Sequence, residues 1–146
     1  MKNDQRGFTL VESLVVLSIF ILLSSVTVFS LKPQYSSMDE KAFFTQLKAD
    51  LYYAQIYAIS HQQEVSVSIF PNQFQYIIWV RPNEKPIIKR NYSTNLYLKE
   101  GSIPLAFKFL QDGNIDKFGS FYIQSEKKTY RMTFLIGKGR FYVTEQ

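Results

Sequence analysis

Between Phe8 and Leu31 the chain runs through 24 residues with a single charge, Glu12. As a helix this run measures about 36 Å, against a bilayer hydrocarbon core of about 30 Å. Lipid or other apolar surface has to cover it, whatever the rest of the chain does. The seven residues before it, MKNDQRG, are polar and include Lys2 and Arg6. The positive-inside rule therefore places Met1 in the cytoplasm and everything beyond the run outside, although Lys32 makes the bias modest. A secretory signal peptide would have a shorter apolar core and a small-x-small cleavage site on its far side. Here the far end reads SSVTVFSLKP, with serines but no A-x-A. A plain single-span anchor accounts for the length but not for the acid.

Past the run the pattern predicts an α+β domain. Pro33 lacks an N–H and clashes with the preceding turn, so the helix is expected to kink or stop there. A second helix is expected over 37–60, with Ser37 as N-cap and Glu40 completing a capping box. Phe43, Leu47, Leu51, Ala54 and Ala58 recur at three- and four-residue spacing as one apolar stripe, with Lys41, Lys48 and Gln55 off it. Asp50 falls near the stripe, which periodicity does not explain. From residue 64 the period changes to two. EVSVSIF and FQYIIWV flank the turn PNQ and predict a hairpin over 64–80. Short strands are expected at 87–91 and 95–99. A strand, a D-G turn and another strand follow within FKFLQDGNIDKFGSFYIQS, and a last hairpin joins TYRMTFLI to RFYVTEQ. Tyr130, Met132, Phe134 and Ile136 would share one face. The helical stripe is expected to cover the apolar face of an antiparallel sheet built from six to eight strands over 64–144. Ten Tyr and thirteen Phe suit such a β-rich core.

The residues offer no catalytic constellation. There is no cysteine, hence no disulfide, no thiolate metal site and no cysteine nucleophile. His61 is the only histidine and falls at a helix end, where a cation is favoured. No G-x-S-x-G, H-E-x-x-H, P-loop or G-x-G-x-x-G occurs. No catalytic residue, metal or cofactor is expected. The net charge of +5 is compatible with an anionic partner. Lys89, Arg90, Lys127 and Lys128, with tyrosines close in sequence, are candidate nucleic-acid contacts. The simpler reading makes them solvated turns and edges of a β domain.

The local pattern G7-F8-T9-L10-V11-E12 resembles the leader junction of type IV pilins and pseudopilins. The resemblance implies a prepilin peptidase that cuts between Gly7 and Phe8 on the cytoplasmic side and methylates the new amine of Phe8. It also implies an assembly role for the acid at the fifth mature position, Glu12. Elementary energetics agree. A carboxylate at mid-bilayer costs roughly 2.5–3.5 kcal/mol, less near the interface. The cut creates an amine one helical turn away, since Phe8 and Glu12 are i,i+4 neighbours. In a filament, the resemblance implies that Glu12 meets the Phe8 amine of an adjacent subunit. Such a pair would set register, because a mismatch strands a charge in apolar surroundings.

The resemblance covers nearly the whole chain. Leu47, Leu51, Ala54, Ala58, Ile59, Val65 and Val67 are similar to the helix-to-strand passage of FimT, pseudopilin H and ComGD-type minor pilins. Phe109–Ile123 resembles the hairpin of the same subgroup. Many relatives carry Arg after the alanine at 54, where this chain has Gln55. The implied fold is type IV pilin-like, a long N-terminal helix with its second half packed on an antiparallel sheet. The implied division is a leader over 1–7, a transmembrane and filament-core helix over 8–31 and an extracellular domain over 34–146. The short, cysteine-free chain is most similar to ComGD-type minor pilins. The function then expected is a minor pilin that initiates or caps a competence pilus for DNA uptake. Its partners would be other competence pilins and minor pilins, the prepilin peptidase, membrane lipid before assembly, and DNA as a further candidate. It would sit in the cell membrane as a single-pass protein, then at the cell surface. The alternatives are a type II secretion pseudopilin and a DNA-binding pilus-tip module.

Overall fold

A computed structural model describes residues 9–126, 128–137 and 139–146, the side chains of 26–37 excepted. The chain divides into two compact units, Met1–Met38 and Asp39–Gln146. Helix α1, Leu10–His61, contributes to both. It remains a single helical element through Pro33 and Ser37, so of the expected kink or stop at Pro33 the stop does not occur, nor does a new helix start at Ser37. The reason is cooperative. Extending a formed helix adds one hydrogen bond per residue fixed, whereas stopping and nucleating again sacrifices several. Ser37 is therefore not an N-cap. Glu40 accepts a hydrogen bond from the Tyr130 hydroxyl at 2.8 Å.

In the first unit the described side chains of the apolar run reach residue 25. Among the described residues no helix is long and apolar enough to cross a membrane. The span expected over 8–31 includes Phe8 and the side chains of 26–31, which lie outside the described residues.

In the second unit the stripe is formed as expected: Phe43 is 7% exposed, and Leu47, Leu51, Ala54 and Ala58 are fully buried. The helix ends in a Schellman arrangement. Gln62 adopts φ +52°, and the Gln63 N–H returns to the Ala58 carbonyl at 3.2 Å. The Gln62 side-chain amide donates to the Ile59 carbonyl at 2.8 Å and to the Gln111 carbonyl at 3.4 Å, tying the helix end to the turn that contains Gly113. Eight strands follow among the described residues: β1 (Val65–Phe70), β2 (Gln75–Trp79), β3 (Ile88–Asn91), β4 (Tyr97–Lys99), β5 (Ala106–Phe109), β6 (Gly119–Gln124), β7 (Thr129–Phe134) and β8 (Phe141–Glu145). They form two antiparallel sheets, ordered β3-β2-β1-β5 and β4-β6-β7-β8, rather than one. The expected 64–80 hairpin is the β1–β2 pair, with Val67 opposite Ile78. The last hairpin is β7–β8, with Met132 opposite Val143.

The hairpin expected over Phe109–Ile123 does not form. β5 pairs with β1, and β6 pairs with β4 and β7. The D-G turn is present, with the Leu110 N–H on the Asn114 carbonyl at 2.7 Å, but backbone pairing goes no further than the bridge Phe109–Ile115 and a bond from the Asp116 N–H to the Lys108 carbonyl at 3.0 Å. The Asp116 carboxylate takes the Lys108 N–H at 2.7 Å, where a continuing hairpin would place a backbone carbonyl. The chain is thereby released to the second sheet. Aromatics from both sheets meet in one core: Phe107 lies 4.9 Å from Phe134, and Phe134 lies 5.4 Å from Phe141. Each such buried side chain contributes about 1.5–3 kcal/mol. Met132 and Phe134 point inward as expected, whereas Ile136 lies beyond the end of β7 and is 72% exposed.

Candidate functional site

The N-terminal segment begins at a helix cap. α1 starts at Leu10, so Thr9 is the N-cap, and its carbonyl accepts the first intrahelical bond from the Ser13 N–H at 3.1 Å. The Thr9 hydroxyl accepts the Glu12 N–H at 3.3 Å. Thr9 and Glu12 thus occupy the first and last positions of a T-x-x-E capping box. The carboxylate of Glu12 also stands in the first turn, where the helix dipole favours negative charge. This role was readable from the sequence and was missed there, because the acid was weighed only against the apolar run. Gly7 and Phe8 lie outside the described residues.

Beyond the cap the segment is apolar on every side. Eleven residues, Leu10, Val11, Leu14–Leu17 and Ile19–Leu23, are each at least half exposed in the isolated chain. The serines do not interrupt this surface. Ser18 and Ser25 donate to the Leu14 and Ile21 carbonyls, both at 2.8 Å, so these hydroxyls are satisfied by the helix itself. A helix apolar all round suits lipid or the interior of an assembly, not water.

The candidate basic residues do not come together as one free patch. Lys89 and Arg90 belong to β3 in the first sheet, and Lys128 directly precedes β7 in the second. Lys127 lies outside the described residues. Lys128 bridges Glu145 at 2.8 Å, and that carboxylate raises its pKa. Arg90 reaches Asp50 at 3.3 Å. Lys89 is exposed, opposite Ile77.

Asp50 is the residue the stripe could not explain. It is 4% exposed and fully engaged: the Tyr76 hydroxyl donates to it at 2.6 Å, the Gln46 amide at 2.8 Å and the Arg90 guanidinium at 3.3 Å. Burial, then the bond to Asp50, raises the Tyr76 pKa far above the ordinary 10.0. The network fastens α1 to the first sheet. The bond from Tyr130 to Glu40 fastens it to the second, and there burial followed by the same bond pushes the phenol up to about 12. At the far end the Gln55 amide donates to the Gly113 carbonyl at 2.8 Å, so a side chain expected off the stripe instead ties the D-G turn to the helix. Among the described residues no group of three or more His, Cys, Asp or Glu could hold a metal ion.

Three comparisons bear on this architecture. A family model described as the prokaryotic N-terminal methylation motif matches residues 2–28. The chain is 29% identical over 138 residues to Competence protein ComGD of Bacillus subtilis (strain 168), covering 94% of this chain and 92% of that protein. Among solved structures, the type IV minor pilin FimU of Pseudomonas aeruginosa superposes with a TM-score of 0.58 at 20% identity, over 68% of this chain and 84% of the other. The minor pseudopilin EpsH from the type 2 secretion system of Vibrio cholerae gives 0.52 at 16% identity, over 71% and 94%. The structural likenesses establish the fold.

Proposed function

We infer that this chain, type IV pilin-like in fold and bearing a prepilin-type methylation motif, is a minor pilin of a competence pilus that initiates or caps the filament used for DNA uptake. The similarity to a competence protein over nearly the whole chain carries the reading, because it spans both the motif and the β domain. The junction Gly7–Phe8 is the processing site, with cleavage between the two and methylation at Phe8. Before assembly the segment 8–31 spans the membrane with Met1 in the cytoplasm. After assembly the same all-apolar helix packs among the helices of other pilins, and the β domain faces outward. Glu12 serves as the acid that meets a Phe8 amine. The work is assembly and involves no catalytic residue of its own.

Mass and N-terminal sequence of the mature protein test the reading. The expected chain starts at Phe8 and carries one added methyl group. Gly7→Leu should leave the full-length form accumulating; normal processing of that variant would overturn the leader assignment. Deletion of the coding sequence should abolish transformation and leave protein secretion intact. The opposite result would favour the second reading, a type II secretion pseudopilin, which the fold likeness to EpsH supports. A DNA-binding tip role for Lys89, Arg90, Lys127 and Lys128 predicts salt-dependent duplex binding lost on their neutralisation. The carboxylates facing Arg90 and Lys128 weaken that case.

A further inference from the structure

The chain's only tryptophan, Trp79, stands on the outer face of the first sheet, alternating with the buried Tyr76 and Ile78. Pairing sets it opposite Ser66 of β1, and Ser66 in turn lies opposite Lys108 of β5. The next row of that face runs Ile77, Ser68, Ala106. Three small side chains, Ser66, Ser68 and Ala106, therefore lie beside the largest one. The result is an open cleft of about 190 Å³ on the outer face, lined also by Asp116 and Lys117. A cavity of about 150 Å³ holds benzene, so this one has room for a single six-membered ring. Its polar groups are within reach of solvent and available. Among the described residues the Ser66 and Ser68 hydroxyls and the Trp79 indole N–H have no hydrogen-bond partner. Asp116 accepts the Lys108 N–H with one carboxylate oxygen and keeps the other. The charges around the cleft cancel. Lys108 bridges Glu64 at 3.2 Å, and Lys117, which donates to the Ala106 carbonyl at 3.3 Å, is matched by the adjoining Asp116.

We propose that this cleft binds one neutral pyranose ring of a glycan. Such a ring has an apolar C–H face and a rim of hydroxyls that both donate and accept. The indole takes the C–H face, whose partial positive charge suits the negative face of the π system. The serine hydroxyls, which donate and accept, and the Asp116 carboxylate, which accepts, take the rim. An apolar wall with a few convergent polar groups is the usual make-up of a small-molecule site. Other occupants fit worse. A phosphate-bearing ligand requires a cationic surplus, and here each ammonium is matched by a carboxylate. A metal ion requires several convergent oxygens, and Asp116 is the one carboxylate lining the cleft, beside two ammoniums. An apolar side chain of a protein partner would leave the serine hydroxyls unpaired. An outward-facing domain, as proposed above, meets glycans at the cell surface, but the chemistry of the cleft does not depend on that reading.

Because Trp79 is the only tryptophan, its fluorescence reports on the cleft alone. The full chain, in a detergent without a sugar head group, is titrated with the methyl glycosides of glucose, galactose and N-acetylglucosamine. At least one should shift the emission saturably, with half-saturation on the order of 1 mM, as about a dozen ligand atoms allow. Mannitol, which has the hydroxyls without the ring, should leave the emission unchanged. Ser66→Val fills the cleft while suiting a strand, and should weaken binding by about tenfold or more. Lys89→Gln, on the same sheet face but outside the cleft, should bind as the parent does. No saturable shift with any of the three glycosides, an equal shift with mannitol, or undiminished binding by Ser66→Val would overturn the proposal. A saturable shift with deoxyadenosine monophosphate and none with the glycosides would replace the sugar by a nucleotide. The disaccharide of the ring that binds should match or exceed it; weaker binding would overturn the choice of a glycan over a free sugar. Normal processing of Gly7→Leu would defeat the assembly reading and leave the fluorescence result standing.

Discussion

Asp50 illustrates how one polar residue on an apolar stripe is stabilised. Its carboxylate is buried only because three donors from α1, β2 and β3 converge on it. Asp50→Ala should lower stability by about 2–3 kcal/mol, chiefly by leaving the buried Tyr76 hydroxyl unpaired. Arg90 is half exposed and can return to water. Tyr76→Phe should be milder, about 1–2 kcal/mol, since Asp50 keeps two donors. Denaturant melts of the two variants would check the order. Tyr92→Phe should go the other way, neutral or stabilising, because it removes a buried hydroxyl that lacks a partner. For Glu12, one substitution pair separates the observed helix cap from the proposed pairing with the Phe8 amine. Glu12→Gln keeps a residue competent for the capping box but loses the charge, whereas Glu12→Ala loses both. If pairing with an amine is what assembly requires, both variants are processed normally and both lower transformation by about tenfold or more, as expected when a charge is left unpaired in apolar surroundings. Wild-type transformation by Glu12→Gln would reduce Glu12 to a helix cap.

At the scale of elements, the chain relies on tight junctions where α1 meets the turns. Gly113, at φ +80°, sits where a Cβ would come within 2.6 Å of Ile59 Cδ1. Gly139, at φ +54°, sits where a Cβ would approach the Gly113 carbonyl oxygen at 2.4 Å and the Gln55 amide at 2.6 Å. The D-G turn, the β7–β8 turn and the C-terminal part of α1 therefore meet with no room for a side chain. Gly113→Ala should lose about 1–2 kcal/mol from the left-handed backbone alone, since the Ile59 tip can move aside. Gly139→Ala should lose more, because its contact includes backbone that cannot move. Thermal unfolding of the two variants side by side would test the ranking. The same junction explains why β5 and β6 do not form a hairpin. The turn is pinned to the helix by Gln55, and Asp116 closes the β5 edge, so the next strand continues elsewhere.

Taken whole, the β domain is a helix clasped by two sheets through the Tyr76 and Tyr130 hydroxyls, with the Tyr92 phenol buried beside them, and this gives it an alkaline limit. Tyr92 and Tyr130 have phenols raised to about 12, and Tyr76 lies higher still, all from an ordinary 10.0. The folded state therefore holds these protons more tightly than the unfolded chain. Stability from this source is complete below pH 10 and falls as pH rises from 10 through the raised values. Unfolding should be insensitive to pH near neutrality and become progressively easier above about pH 10. Ultraviolet titration should show Tyr76, Tyr92 and Tyr130 still protonated at pH 10. If Tyr76 and Tyr130 ionised near pH 10 with the fold intact, the hydroxyl clasps would be refuted.

What the sequence determined by itself is what periodicity and local chemistry can carry. The apolar run with its cap and single acid, the stripe from Phe43 to Ala58 and the β1–β2 and β7–β8 hairpins all lie within short windows, where side-chain spacing and local chemistry are enough. Tertiary structure decided the rest. It divided the strands into two sheets, whose inner faces bring Phe107 against Phe121 and Phe134, contacts between strands far apart in sequence. It gave Asp50 three partners up to 40 residues away. It also paired Arg90 and Lys128 with acids that sequence order keeps apart. A periodic pattern records the direction in which a side chain points. The partner it finds there depends on long-range packing, which no local window contains.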